Sequence, residues 1–441
     1  MVDLSIKKLS SKTIQILFFV GSFILLFLGF YRNQWGMVHP HKFSIFQKDV
    51  EAYVIARMVL TRESGFFSYG GLLGYGDVDP SNVREEDYAY QYETYLAGRS
   101  FQTYWHKESN PGFQGIFFSV LDRASPFSPS NNLRLFRMFT SGMFAATLAG
   151  IVVWFYRGVG VGASVFVLIS ILTSQWMTVF GRNLFFMSGF FYLPMVLLLF
   201  RLEKEKNGVP LLNRQLFWVV LPLVLLKCLL NGYDFILPTL GMVASPLVYY
   251  AISYKWNKGM VFKRFLVVGA ASLAAILVSF TILSFQIMQA SGSFLHGFEY
   301  IVETINRRTV STQSNLSPVY EIARKADYWP ILKIYLSESY FYKFYVPYFV
   351  VIVIFAVATV VYCFVSGKIK NDMSDRFSVG AALIATTWFS LTGTLGWYII
   401  FKSLSYFHIH MNYLPWHMPF TLFGFGMCGY MIESLVRQWR Q

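Results

Sequence analysis

The triplet Asp49-Val50-Glu51 places two carboxylates about twenty residues beyond the first apolar run, beside a membrane boundary. Acids that close to an apolar boundary are costly when buried and usually have a task. A local reading stands beside this one. Asp is a favoured helix N-cap, and Glu in a first turn complements the helix dipole. Consecutive helical residues lie about 100° apart, so Asp49 and Glu51 diverge by roughly 200° and cannot share one face. Either Asp49 precedes the helix proper or only one acid faces a site, and Asp49 is the stronger candidate. A second concentration of reactive types is residues 406–417, which hold His408, His410 and His417, three of the seven histidines. An alternating pair of His ligands needs a strand and lacks the carboxylates that complete a metal site. Two readings remain: an imidazole that donates to phosphate oxygens, or interfacial residues with polar tips among headgroups. No metal and no other cofactor is expected.

The elements that must position these groups follow from composition. With 55% hydrophobic, 19% aromatic and only 14% charged residues, the chain belongs in a membrane rather than in water. About 20 apolar residues cross a bilayer, and ten runs qualify: 13–31, 138–155, 161–179, 187–200, two from 216–253 divided at the turn-forming residues 231–234, then 265–287, 346–365, 378–401 and 417–435. The expected fold is all-α and polytopic, one integral-membrane domain over 1–441. Residues 13–31 form the first span and 32–137 a long outer loop. Spans two to seven occupy 138–287, a second outer loop 288–345, and the last three spans 346–441.

Short basic flanks set the orientation. With both termini inside, 17 of the 37 Lys and Arg and five of the 23 Asp and Glu fall on inner segments. The net charge of +14 is thus mostly topological, and a nucleic-acid partner is not needed to explain it. Cys228, Cys363 and Cys428 all fall in apolar runs and read as core-filling thiols, not a disulfide framework. No small-residue cleavage site follows the first run, which reads as a retained anchor.

Within the first loop, residues 46–62 read as a helix without Gly or Pro, with Val50, Tyr53, Val54 and Met58 on one face. Its apolar character suits a helix lying at the interface under other protein. Residues 64–80, with Gly70, Gly71, Gly74 and Gly76, read as a loop that approaches something closely. Arg84-Glu85-Glu86-Asp87 reads as solvated surface. A second interfacial segment begins at residues 110–118 and ends near Asp122-Arg123.

An anchor helix, an acidic triplet on a first interfacial helix, a Pro-containing second interfacial segment and Arg134 and Arg137 leading into the second span resemble the GT-C glycosyltransferase superfamily. The resemblance is clearest over 13–200, where Arg182-Asn183-Leu184 opens the fourth span, and is only in outline beyond. It implies a multi-pass enzyme of the type that decorates bacterial cell-surface glycan or lipid, in the cytoplasmic membrane with its site outside. Such enzymes move a sugar from a polyprenyl-phosphate carrier to an acceptor hydroxyl. The family's first-loop base maps onto Asp49, with Glu51 as supporting acid. A sugar hydroxyl is a weak nucleophile, and a carboxylate within hydrogen-bond reach accelerates its attack; partial desolvation strengthens that base.

The same resemblance asks for cations at outer helix ends to hold the donor phosphate, where Arg suits because its fork binds phosphate bidentately. Arg182, Arg307 and Arg308 are the candidates, with His410 beside them and Lys227 and Asp234 as possible support. For each base the plain alternative is snorkelling to headgroups, and for Lys227 and Asp234 it is pairing with one another. The polar stretch 307–318 is expected to cover the acceptor site. Expected partners are the lipid-linked sugar donor, a glycan or lipid acceptor and membrane lipid. The competing readings are an O-antigen polymerase or ligase, which also uses Arg-rich outer loops, and a secondary transporter, which wants mid-membrane charges and repeated halves. A scaffold without chemistry is the remaining class.

Overall fold

The computed structural model describes residues 11–46, 48–79, 83–309, 327–368 and 374–439. The chain opens with α1 (Ser11–Arg32), followed in the first loop by α2 (Pro40–Ile45), α3 (Lys48–Ser64), β1 (Leu73–Gly76), α4 (Glu85–Leu96), β2 (Tyr104–Lys107) and α5 (Phe113–Ala124). The central part comprises α6 (Pro129–Gly158), α7 (Val161–Thr173), α8 (Gln175–Phe180), α9 (Gly189–Glu203), α10 (Asn213–Asn231), α11 (Ile236–Ser253) and α12 (Lys258–Ser291). The second loop carries α13 (Phe294–Arg308) and α14 (Tyr328–Ser337). Then come α15 (Tyr348–Lys368), α16 (Ser374–Ile400), α17 (Lys402–Phe407) and α18 (Phe420–Trp439).

The protein is predominantly helical, and among the described residues six helices are long and apolar enough to cross a membrane: α1, α6, α10, α11, α12 and the Ser378–Ile400 part of α16. The third apolar run does not form one rod. It breaks at Ser174, where ψ turns to 118° and the side chain accepts from Met177 N to start α8, as a Ser N-cap does. The fourth run gives a 15-residue helix containing Pro194. Long helices pair as α11 with α16, α1 with α6, α10 with α12, and α7 with α18. In the core Trp154 donates to the Tyr250 hydroxyl at 2.8 Å, and that hydroxyl donates to Leu199 O at 2.9 Å, joining α6, α11 and α9.

The expected first interfacial helix is α3, and the second is α5. The run Arg84–Asp87 is surface as expected, with Arg84, Glu85 and Glu86 exposed, and it opens α4, where Asp87 Oδ2 accepts from Arg84 N at 2.7 Å. One element differs from expectation. The Gly-rich loop contains β1, which pairs antiparallel with β2 in the register Leu73↔Lys107 and Gly76↔Tyr104. An all-α first loop is therefore corrected to a helical loop with one two-stranded sheet. Gly74 permits this pairing, since a Cβ there would lie 1.9 Å from Trp105 O.

This loop is fastened from inside. Arg57, fully buried on α3, donates to Ser68 O at 2.7 Å, Gly65 O at 2.9 Å and Phe66 O at 3.2 Å. It thereby adds a charged donor to the carbonyls of this turn, of which Gly65 O also accepts from the Ser68 hydroxyl at 2.9 Å. Gln286 of α12 donates to Gly70 O and Pro111 O at 2.9 and 2.7 Å, tying the loop to a long helix.

Candidate functional site

Both acids of the triplet lie in the first turn of α3, and they diverge as helical geometry requires. Glu51 points inward and is surrounded by donors. Its Oε1 accepts from Arg137 Nε at 3.0 Å and from the Tyr92 hydroxyl at 2.9 Å, while Oε2 accepts from Leu184 N at 3.3 Å. Arg137 Nη2 completes the ion pair. A carboxylate so occupied joins α3, α4, α6 and the start of the α9 region. Asp49 turns the other way, half-buried, into an open cleft of about 830 Å³ between α3, α4 and the N-terminal end of α6. The two carboxylates do not converge, so this pair does not suit a shared divalent ion. Among the described residues, no three His, Cys, Asp or Glu side chains gather as a metal-binding group.

Val50, between them, lines a second and smaller cavity of about 70 Å³. Its polar wall is Lys107 of β2, Arg308 at the end of α13, Asp234, His408, Asn110 and Asn412. Asp234 and Arg308 face each other at 3.6 Å. Lys107 has no ion pair and no hydrogen-bond partner among the described residues. Its ammonium lies 4.2 Å from the Tyr53 ring centre and 4.9 Å from that of Phe185. Burial lowers its pKa to about 8, against the opposing pull of Asp234 and Asp49. Asn110 Nδ2, His408 Nδ1 and Trp397 Nε1 are buried without a hydrogen-bond partner among the described residues and belong to residues of the same wall. Such atoms carry a desolvation cost until a polar ligand meets them.

A third cavity, about 230 Å³ and almost wholly apolar, lies between the N-terminal half of α11 and the C-terminal half of α12, against α13. Leu237, Leu240, Ile276, Phe280, Leu283 and Ile301 line it, and it shares Ser109 and Arg308 with the small polar cavity. The apolar cavity thus adjoins the polar pocket, whose wall includes Val50, one residue along α3 from Asp49.

The other residues named from sequence are distributed unevenly around this centre. Arg308 lies at the junction, whereas Arg307 lines none of these three cavities. Arg182 turns beneath α2, donating to Phe43 O at 2.5 Å with its guanidinium 3.9 Å from the Phe43 ring. Desolvation, then neighbouring Arg137, lowers its pKa to about 10. Lys227 is fully buried and donates to the carbonyls of Gly232 and Asp234 at 2.9 and 2.6 Å. It shapes the turn that presents the Asp234 carboxylate to Arg308, rather than pairing with that carboxylate. His408, not His410, lines the polar pocket, and desolvation takes its pKa down to about 3. His410 is also lowered by desolvation, with Asp49 opposing the shift, and its ring is 5.8 Å from that of His408. Most of the polar stretch 307–318 lies outside the described residues.

Sequence reading missed Lys107, Tyr88 and Glu93. The signal for Lys107 was the run Tyr104-Trp105-His106-Lys107, whose aromatic content suits a strand and whose partner is Gly74-Tyr75-Gly76. No protein family, no curated protein and no solved structure matches this chain.

Proposed function

We propose that this protein is an integral-membrane glycosyltransferase that moves a sugar from a polyprenyl-phosphate carrier to a hydroxyl of a glycan or lipid acceptor. Its reaction centre lies on the extracytoplasmic side of a bacterial cytoplasmic membrane. On this reading the ten apolar helices all span, with both termini inside and the basic flanks in the cytoplasm.

The observation that carries the reading is the junction at Arg308. There an apolar cavity adjoins a pocket lined by Lys107, whose ammonium has no partner among the described residues, with Asp49 next to Val50 of the pocket wall. A polyprenyl-phosphate sugar has an isoprenoid tail, one anionic phosphodiester and a sugar, in that order. The isoprene units next to the phosphate enter the apolar cavity between α11 and α12 with the rest of the tail in lipid, the phosphate meets Lys107 and Arg308, and the anomeric carbon is directed towards Asp49.

The chemistry follows from charge. The acceptor oxygen attacks the anomeric carbon, the bond from that carbon to the phosphate oxygen breaks, and Asp49 takes the hydroxyl proton. The leaving polyprenyl phosphate gains negative charge as it departs. Fixed cations aimed at that developing charge stabilise the transition state more than the ground state. Arg308 exchanges its contact with Asp234 for the phosphate, and Lys107 gains the counter-ion it lacks. Glu51 acts through structure, holding α3 on Arg137 so that Asp49 keeps its place.

The deciding experiment reconstitutes the purified protein in nanodiscs with radiolabelled polyprenyl-phosphate sugars and a cell-envelope glycan fraction. Transfer is expected, and Asp49→Asn should lower it by about 10²–10⁴-fold. Wild-type rates from Asp49→Asn together with Lys107→Met would overturn the assignment.

A further inference from the structure

Asp49 lines the open cleft while Val50 beside it lines the small polar pocket, and only the smaller space is explained by a phosphate-bearing donor. We infer that the open cleft on its other side binds the acceptor, and that the acceptor is an uncharged glycan chain longer than one sugar. This rests on the transferase reading above.

Size and shape argue first. At about 830 Å³ the cleft is near the upper end of the range for small-molecule sites, and its wall includes the exposed residues Lys48, Ala89, Glu93 and Arg134. A single sugar would be enclosed by much less. An open trough lets a chain continue beyond the reacting residue.

The lining argues for hydroxyls. Helix α4 presents Glu85, Tyr88, Tyr92 and Glu93 on its cleft side, spaced three or four residues apart or adjacent, as one helix flank allows. Exposed carboxylates accept from sugar hydroxyls two at a time, and a phenol ring covers the C–H face of a pyranose or furanose. Tyr88, whose hydroxyl pKa is raised by burial and then by Asp49, stays a neutral phenol.

Charge argues against an anionic acceptor. Lys48, Arg134 and Arg137 face Asp49, Glu85 and Glu93 in this cleft, but Arg137 is already neutralised by Glu51. Two uncommitted cations therefore meet three carboxylates. An anionic polymer or phospholipid headgroup would find a slight negative excess, unlike the cationic pocket that the donor phosphate enters. The mixed lining also differs from the apolar cavity that suits isoprene units.

The test uses purified protein in phosphatidylcholine nanodiscs and measures binding by microscale thermophoresis. The probes are neutral hexasaccharides (α-glucan, β-glucan, mannan, galactan and arabinan), their monosaccharides, hexagalacturonate and, separately, undecaprenyl phosphate. At least one neutral hexasaccharide should bind ten-fold or more tightly than its monosaccharide and than hexagalacturonate. Tyr88→Ala and Glu93→Gln should each weaken that binding ten-fold or more while leaving undecaprenyl phosphate affinity unchanged; the second, isosteric change guards against misfolding of the first. Preference for hexagalacturonate, binding of monosaccharides alone, absence of binding by every neutral chain, or insensitivity to both substitutions overturns the inference. Failure of undecaprenyl phosphate to bind, with glycan binding intact, would instead sink the donor reading and leave the cleft assignment standing.

Discussion

Glu51 Oε1 accepts a 3.0 Å hydrogen bond from Arg137 Nε, across 86 residues of sequence. That bond decides which acid of the triplet is free to act. Glu51 is consumed in holding α3 to the start of α6, so its neighbour two residues earlier is left facing the cleft. Removing one partner of such a pair leaves a buried charge without compensation, at about 3–5 kcal/mol in well-buried cases; Arg137 is partly exposed, which favours the lower end. Glu51→Ala should therefore lower the melting temperature of the detergent-solubilised protein markedly. Turnover by the surviving folded fraction should keep the wild-type pH profile, because the residue positions rather than reacts. A displaced pH profile with unchanged melting would mean that Glu51 itself exchanges protons.

Asp49 makes the opposite pattern. Its side chain is half-buried and lines open space, so Asp49→Asn should leave melting within about 0.5 kcal/mol of wild type, as for surface substitutions generally. The rate constant for transfer should fall by about 10²–10⁴-fold with little change in donor affinity. Single-turnover kinetics with saturating donor separates the two quantities. A fall in stability matching the fall in rate would return Asp49 to the helix-starting role that its position also suits.

How far the sequence spoke is clear from these two acids and the cations opposite them. The divergence of Asp49 and Glu51 follows from helical geometry alone, and the two interfacial helices follow from apolar patterning. Arg308 was legible as a base in the second outer loop, where a donor phosphate would need a cation. Lys107 was not, because its place depends on pairing between β1 and β2, whose matched residues are about 30 apart in sequence, and no local rule sets that register. Likewise nothing near Arg182 says that Phe43, 139 residues earlier, will accept its hydrogen bond and cover its guanidinium. His408 and His410 differ by only two positions, and which one reaches the pocket is set by the irregular turn after α17 rather than by a periodicity.

Lys107 gives the pH dependence a definite sign. Its pKa is lowered to about 8 by burial, so the ammonium is present below pH 8 and lost as pH rises through that value. Between pH 7 and 9.5 a phosphate monoester stays dianionic, so any change of affinity there reports the protein. Undecaprenyl phosphate should bind progressively more weakly above about pH 8. Lys107→Arg, which cannot deprotonate in this range, should flatten the curve. Lys107→Met should weaken binding about ten- to hundred-fold at pH 7, the loss of one charge-assisted hydrogen bond. Titration by microscale thermophoresis at half-unit pH steps reads all three. A flat wild-type curve would remove Lys107 from the phosphate site.

His408 should contribute no pH step of its own. With its pKa held near 3 by burial, the ring is neutral from pH 5 upward and offers one N–H donor and one acceptor rather than a charge. His408→Asn, neutral and able to donate, is expected to keep donor affinity within a few-fold. His408→Phe should lose more, because it fills the pocket wall with a group that cannot hydrogen-bond. An inflection near pH 6.5 in wild type that vanishes in His408→Asn would contradict a neutral ring.

The last prediction concerns the scaffold that carries Lys107. Gly70 has φ of +66°, and a Cβ there would lie 2.3 Å from Gln286 O, in the same contact where Gln286 Nε2 donates to Gly70 O. Gly70→Ala therefore combines left-handed strain of roughly 1–2 kcal/mol with a collision against helix backbone that has no side-chain freedom to give way. The relief available is movement of the loop away from α12. That motion would carry β1, and with it β2 and Lys107, out of register with Arg308. Donor affinity should fall even though no residue of the pocket has changed, and the first loop should become sensitive to limited proteolysis between residues 64 and 80. Gly98→Ala is the control: φ is also positive, at +65°, but nothing lies within 4 Å of the added Cβ. It should show the strain alone, with a small drop in melting temperature, full protection of residues 64–80 and unaltered donor binding. Equal behaviour of the two variants would mean that the clamp between the first loop and α12 does not position the cationic pocket.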